Sequence, residues 1–155
     1  MSDYDVVVKT ADPAWVLTVN EDVPSVAEIG FAHQRSWPRL HAQLDALGIE
    51  RMPPSIAREM VAQSPIRITF AVPVPDGVHY DGDGFRTEEL PALERVAATV
   101  IHGDPDFHGA FQALQAWARE AGETGTGESR EVYLDCDGPR DTWVVELQIA
   151  LTPKA

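Results

Sequence analysis

Alternating apolar and polar positions predict several strands along the chain. The segments 4–9 and 15–20 are rich in β-branched and aromatic residues, and Asp12 and Pro13 separate them, so we expect two strands that pair as neighbours. Residues 66–74 alternate more strictly, with large apolar side chains at every second position. This alternation predicts a strand that has one buried face.

Apolar residues spaced three or four apart predict two helices. The first covers 36–47 and begins at Ser36, while the segment 25–35 before it fits either an earlier helix or an irregular approach. The second begins near Phe107 and ends near Gly122. The apolar positions that define the first helix are Trp37, Leu40, Leu44 and Leu47.

The second half of the chain repeats the order of elements in the first: strand, helix, strand, strand. In an alignment of the two halves, Arg58-Glu59 stands opposite Arg130-Glu131, and Glu59 becomes the counterpart of Glu131. The same alignment places Thr69 opposite Glu146, which would confine the second acid to the second half. The strands predicted for the second half cover 95–101, 131–135 and 142–151.

This repeat predicts a single domain over 1–155, divided into repeat one (about 1–75), a turn-rich connector (about 76–92) and repeat two (about 93–155). The fold class is α+β: duplicated βαββ units form an antiparallel sheet with two helices on one face. We expect a concave ligand cleft on the other face.

The charge balance excludes one class of partner and favours another. The chain has 25 acidic and 12 basic side chains, a formal net charge of -13, so it repels nucleic acid and attracts cationic small molecules. The start of the chain is acidic, unlike a signal peptide, and no apolar run approaches the roughly 18 residues that span a membrane. We expect a cytoplasmic protein with no membrane or direct nucleic-acid contact.

No residue pattern predicts a cofactor or a metal site. The spacing of His102 and His108 does not match that of zinc ligands. Cys136 lies between Asp135 and Asp137, whose negative charge should raise the pKa of the thiol and suppress the reactive thiolate.

Two acids, a phenol and an amide are candidates for a binding face. Pairing the last two strands with their apolar faces together would place Glu131, Tyr133, Glu146 and Gln148 side by side. A glutamate within an apolar strand is costly to desolvate unless it meets hydrogen bonds or a cation, although the face could also be simply solvated. The aromatic residues that could shield these carboxylates are Tyr4, Trp15, Trp37, Tyr80, Phe85 and Phe107.

The C-terminal third resembles the GyrI-like effector-binding family of small-molecule-binding domains, which has a SOUL-like fold. The resemblance rests on His102-Gly103 before the second helix, on the Arg-Glu-x-Tyr motif of residues 130–133, and on Glu146-Leu147. The sequence departs from the family pattern where a tyrosine, a threonine and a proline are usual; these positions hold Phe107, Val145 and Ala150.

The resemblance implies that Glu131 and Glu146 are buried acids in a pocket for hydrophobic, often cationic, aromatic ligands. Tyr133, Gln148, Phe107 and Trp37 would complete the pocket, and stacking on the aromatic rings would position the ligand. The chain is then a stand-alone member that binds a small molecule without converting it.

Two alternatives use the same cleft. In a hydrolase of cyclopropane-bearing genotoxins, Glu146 or Glu131 would act as general base and Tyr133 would donate a proton or hydrogen bond to the leaving group. In a protein resembling DNA gyrase inhibitors, the cleft would contact a protein partner, either gyrase or a regulator.

Overall fold

A sheet of nine strands and two α-helices forms the computed structural model, which describes residues 4–103 and 106–153. Parts of three predictions lie outside the described residues, namely the ends of the repeats at 1–3 and 154–155 and the turn residues 104–105. The strands are β1 (Val7–Ala11), β2 (Ala14–Val23), β3 (Ser55–Met60), β4 (Ile66–Pro73), β5 (Asp81–Gly82), β6 (Phe85–Leu90), β7 (Leu93–His102), β8 (Gly125–Asp135) and β9 (Val144–Leu151). The helices are α1 (Ile29–Ala46) and α2 (Phe107–Glu120).

The sheet order β1-β7-β9-β8-β3-β4-β2-β6-β5 is antiparallel throughout and contains two related halves. One half is β2-α1-β3-β4, the other is β7-α2-β8-β9, and β3 pairs with β8 where they meet. Arg58 faces Arg130 at this junction, so an approximate twofold axis passes between them. The α+β fold with two βαββ units and both helices on one face is confirmed.

The register corrects the alignment of the halves. Arg58 pairs with Thr69 and Arg130 pairs with Gln148, so Thr69 corresponds to Gln148 rather than to Glu146. The prediction missed this because a shift of two residues in a strand preserves the alternation of faces.

Several predicted elements differ from the observed ones. The strands at 4–9 and 15–20 are not neighbours, because β1 pairs with β7 while β2 pairs with β4 and β6. The connector 76–92 contains β5 and β6 in addition to its turns. Helix α1 begins at Ile29, and Ser36 is buried within it, donating a hydrogen bond to Glu21 (2.7 Å) instead of capping.

Two short connections force the sheet to curl. Only Asp12 and Pro13 join β1 to β2, and only Pro91 and Ala92 join β6 to β7, yet six strand-to-strand steps separate the members of each pair. Such connections reach about 11 Å, whereas six steps across a flat sheet cover about 29 Å. Arg130, on the face opposite the helices, donates a hydrogen bond to the Pro91 carbonyl (2.9 Å), so the curl closes over that helix-free face.

Apolar residues fill both faces of the curled sheet. Helix α1 packs on Phe70 and Leu17 over β2 and β4. Helix α2 covers β7 and β9, and its Leu114 lies in one apolar cluster with Leu147 of β9. A third cluster lies on the helix-free face and consists of Val16, Ile56, Ala71, Leu90 and Val132. Among the described residues, no helix is long and apolar enough to cross a lipid bilayer.

Phe70→Ala should destabilise the fold strongly, because the ring is fully buried between the sheet and His33 and Trp37 of α1. We expect the free energy of unfolding in denaturant titrations to fall by about 3–5 kcal/mol. Phe31→Ala, at a side chain that is 55% exposed, is the matched control and should change it by no more than about 0.5 kcal/mol. Equal losses in the two variants would contradict this packing.

Candidate ligand cleft between the helices

A cavity of about 1000 Å³ lies on the helix side of the sheet. Because α1 covers β2 and β4 while α2 covers β7 and β9, the central strands β3 and β8 remain uncovered between them and form the cavity floor. The cleft predicted on the helix-free face is therefore wrong in position. That face is closed by the curl and by its own apolar cluster.

Two glutamates meet on the floor of this cleft. In the β3–β8 pairing, Ala57 faces Glu131 and Glu59 faces Ser129, which places the two acids diagonally on the helix side. Glu59 and Glu131 are only 4% and 3% exposed, and their carboxyl groups share a hydrogen bond. Each repeat therefore supplies one acid, contrary to the expectation that the acid pair belongs to the second half alone.

Burial favours the protonated form of this pair. It raises the pKa of Glu131 well above the ordinary value of 4.5, and the charge of neighbouring Glu59 raises it further. Burial also raises the pKa of Glu59, while its hydrogen bond with Glu131 acts in the opposite direction. Two like charges at this distance in an apolar setting are costly to desolvate together, which favours a pair that retains a proton.

Three side chains fix the position and hydrogen bonds of the acid pair. The Tyr133 hydroxyl donates to Glu131 Oε1 (2.5 Å), and burial together with the charge of Glu131 raises the pKa of Tyr133 well above 10.0. His33 Nε2 lies 3.3 Å from Glu59 Oε1 and 3.7 Å from Glu131 Oε1. The Trp37 indole N–H donates to His33 Nδ1 (3.1 Å).

The indole contact decides what His33 can do. An indole N–H only donates, so His33 Nδ1 accepts, and the neutral ring carries its hydrogen on Nε2, the atom that faces the acids. His33, Glu59 and Glu131 have ligand atoms within 4.8 Å of one another, a composition that could hold a metal. A ring nitrogen that bears hydrogen has no lone pair for a metal, so the geometry favours a hydrogen-bond network.

Aromatic rings surround the acid pair, as the sequence analysis expected for a binding cleft. Trp37 and Phe107, both predicted site residues, line the cavity and meet the Tyr133 ring edge-on, at centroid distances of 5.6 and 6.3 Å. Trp143 also contacts Tyr133 at 6.3 Å, and the Arg140 guanidinium lies 5.2 Å from the Trp143 ring centroid. The other aromatic candidates pack into the apolar clusters: Tyr4, Trp15, Tyr80 and Phe85.

Two predicted site residues lie on the opposite face. Glu131 pairs with Leu147 and Val132 pairs with Glu146, so Glu146 and Gln148 point away from the cleft, towards the helix-free side. The predicted grouping of Glu146 and Gln148 with Glu131 and Tyr133 is therefore wrong. Glu146 is instead paired with Lys9 of the edge strand β1 (2.9 Å) and accepts a hydrogen bond from Gln148 Nε2 (2.6 Å).

The sequence analysis named Glu59 only as the counterpart of Glu131 and assigned no role to His33. The signal for Glu59 was present in the Arg-Glu pair of both repeats, which the register of β3 and β8 brings together. His33 lies in the segment 25–35, for which the sequence fits either a helix or an irregular approach, so the direction of its side chain could not be inferred. For Cys136, burial and the charges of Asp135 and Asp137 raise the thiol pKa in the predicted direction.

No protein-family model and no curated protein matches the chain. Its fold matches the EcmrR C-terminal domain, with a TM-score of 0.77 at 17% identity, over 97% of this chain and 99% of that domain. In the EcmrR–DNA complex the match has the same TM-score at 18% identity and covers 96% of this chain. It covers only 57% of that EcmrR chain, so this chain spans little more than half of its length.

Two further solved structures share the fold. A hydrolase from Listeria innocua aligns with a TM-score of 0.62 at 11% identity, over 96% of this chain and 92% of that one. SAV2435 bound to tetraphenylphosphonium aligns with a TM-score of 0.61 at 9% identity, over 96% of this chain and 94% of that one. These matches confirm the resemblance to the GyrI-like effector-binding domain at the level of the fold.

Glu131→Gln should stabilise the ligand-free protein at neutral pH. Folding raises the pKa of Glu131, so its contribution to stability is fully present below pH 4.5 and is lost as the pH rises through the folded-state pKa. An amide cannot ionise and removes this loss. In thermal unfolding followed by circular dichroism, the Tm difference should grow with pH, and about 1 kcal/mol corresponds to roughly 2–4 °C in a domain of this size.

Glu146→Gln is the matched control, because it removes a second buried acid of the same sheet whose charge is compensated by Lys9. This variant should be no more stable than the wild type at any pH. Parallel Tm curves for Glu131→Gln and the wild type would contradict the raised pKa.

Proposed function

We propose that this protein binds hydrophobic, aromatic cations in the cleft between α1 and α2. One observation carries the proposal: among the described residues, the acid pair on the cavity floor has no lysine or arginine as its partner. Four of the described glutamates are buried, and Glu128 and Glu146 are compensated by arginine or lysine. The partners of Glu59 and Glu131 are each other, His33 and Tyr133.

A ligand cation would supply the missing positive charge. An isolated carboxylate in a poorly solvated site is unfavourable, and a cation that brings its own apolar surface compensates this charge while covering the cleft. Trp37, Tyr133 and Phe107 present ring surface beside the acids, where aromatic parts of the ligand can stack and its charge can interact with the rings. That SAV2435, which shares the fold, was solved with tetraphenylphosphonium supports this class of ligand.

The ligand-binding roles that the sequence analysis gave to Glu131, Tyr133, Trp37 and Phe107 are kept in this proposal. Glu59 and His33 join them because they contact the same acid pair. We assign Glu146 to the attachment of β1, since its carboxylate bonds to Lys9 on the far side of the sheet.

Tetraphenylphosphonium should bind the wild-type protein, and the double variant Glu59→Gln/Glu131→Gln should bind it about tenfold more weakly or worse, because both acids of the pair are lost. Titration calorimetry gives the affinities. Both substitutions are needed, because Glu131→Gln alone resembles the protonated acid and leaves Glu59 able to carry a charge.

Two controls separate charge recognition from damage to the cleft. Triphenylphosphine oxide, which has similar rings and no net charge, should bind the double variant at least as well as the wild type. Glu146→Gln should bind tetraphenylphosphonium with unchanged affinity. A double variant that keeps full affinity for the cation would contradict the proposal.

Hydrolysis of a strained-ring electrophile is a second candidate, favoured by the hydrogen bond between Tyr133 and Glu131. Glu59 could take a proton from an attacking water, while Glu131 delivers its proton to the ring carbon released as the carbon–carbon bond opens. Glu146, one of the two residues predicted as general base, is excluded from this role because it points away from the cleft.

Incubation with a cyclopropane-bearing electrophile tests this second candidate. Hydrolysis predicts a product heavier than the substrate by one water, formed by the wild-type protein and not by Glu59→Gln/Glu131→Gln, as followed by mass spectrometry. If the wild-type protein forms no more product than buffer alone, this candidate is removed.

A further inference from the structure

The acid pair distinguishes cations by their hydrogen-bond donors as well as by their charge. We propose that the preferred ligand is an aromatic amidinium or guanidinium, a planar cation whose N–H groups bridge Glu59 and Glu131. This inference rests on the proposed binding of cations in the cleft and names the chemical group that the floor recognises.

Glu59 and Glu131 hydrogen-bond to each other when the pair holds a proton, so each carboxyl group then has a partner on the side that faces the other. A positive ligand lowers the pKa of the pair and favours loss of the proton. The oxygens that the proton joined then carry like charges and lack a donor between them.

The cations that could replace the proton differ in their hydrogen-bond donors. A phosphonium or quaternary ammonium ion supplies charge but no donor, and it leaves buried acceptors without hydrogen bonds. An amidinium or guanidinium supplies charge and several N–H groups in a rigid fork suited to carboxylates. Such a group can therefore compensate the charge of the pair and restore its hydrogen bonds.

The spacing of the two acids fits an amidinium or guanidinium. Glu59 and Glu131 have oxygens within 4.8 Å of each other, a span that one planar N–C–N group can bridge by donating to both sides. The outer hydrogen bonds of the pair remain in place, since Tyr133 donates to Glu131 and His33 Nε2 faces Glu59. The aromatic body of the ligand would then extend along Trp37 and Tyr133.

The origin of the two acids in the two repeats also suits such a group. Glu59 and Glu131 lie at equivalent positions about the approximate twofold axis of β3 and β8. An amidinium or guanidinium also has a local twofold axis through its central carbon, so its two donor sides can meet the two acids equivalently. A single glutamate could accept one N–H from each nitrogen along one edge of such a group, whereas two acids can also accept from its remaining N–H groups.

A matched pair of ligands tests the inference. Naphthamidinium and naphthyltrimethylammonium carry the same charge and the same ring system, but only the first has N–H donors. With the wild-type protein, titration calorimetry should give the amidinium an affinity higher by about tenfold or more, the value expected for charge-assisted hydrogen bonds to a buried acid pair. In Glu59→Gln this ratio should fall several-fold, and in Glu146→Gln it should match the wild type.

The possible results distinguish failure of donor recognition from failure of cation binding. If tetraphenylphosphonium binds the wild-type protein and neither naphthyl cation does, donor recognition is overturned. If both naphthyl cations bind with equal affinity, or the trimethylammonium binds more tightly, donor recognition is overturned while the proposed function stands. If the amidinium preference persists in Glu59→Gln, the two acids do not bridge the ligand and the inference also fails. If neither naphthyl cation nor tetraphenylphosphonium binds the wild-type protein, the proposed function itself fails.

Discussion

The span of two short connections constrains the shape of the sheet and, through it, the position of the cleft. Asp12-Pro13 and Pro91-Ala92 each join strands that lie six positions apart, so the sheet curls over its helix-free face. That face closes around its own apolar cluster and around Glu128, which is held by two arginines. On the outer side of the curl, the two helices cover separate pairs of strands and leave the central strands open between them.

The same geometry places Glu59 and Glu131, the two buried acids whose charge no lysine or arginine of the described residues compensates, in the cleft, where a ligand can reach them. Buried acids are usually compensated, as Glu146 is by Lys9, and such pairs hold elements together. Glu59 and Glu131 instead hydrogen-bond to each other, and burial raises the pKa of both acids and so opposes their ionisation. Buried ionisable groups whose pKa values are displaced in this way are candidates for functional sites. In the proposed function, the cleft trades stability at neutral pH for the ability to accept a positive charge.

The repeat and most elements could be predicted because their apolar spacing is strong, but the faces of the strands could not. Glu131 and Tyr133 alternate with the apolar Val132, so they look like residues of the face opposite the core. This inference assumes that only one face of the sheet is buried. Both faces of this sheet are buried, so Val132 belongs to the helix-free cluster while Glu131 faces the helices. Gly125 and Gly127 concealed the start of β8, because glycine is depleted in strands. The pairing of β1 with β7 depends on a contact between distant segments, which local patterns do not encode.

The central claim is that the acid pair holds a proton which the bound cation displaces. Calorimetric titration of tetraphenylphosphonium into the wild-type protein, in buffers of equal pH and different ionisation enthalpy, measures this exchange directly. The account predicts net proton release on binding and an affinity that rises with pH, since the cation lowers the pKa of the pair. Binding that is independent of pH and releases no proton would contradict it.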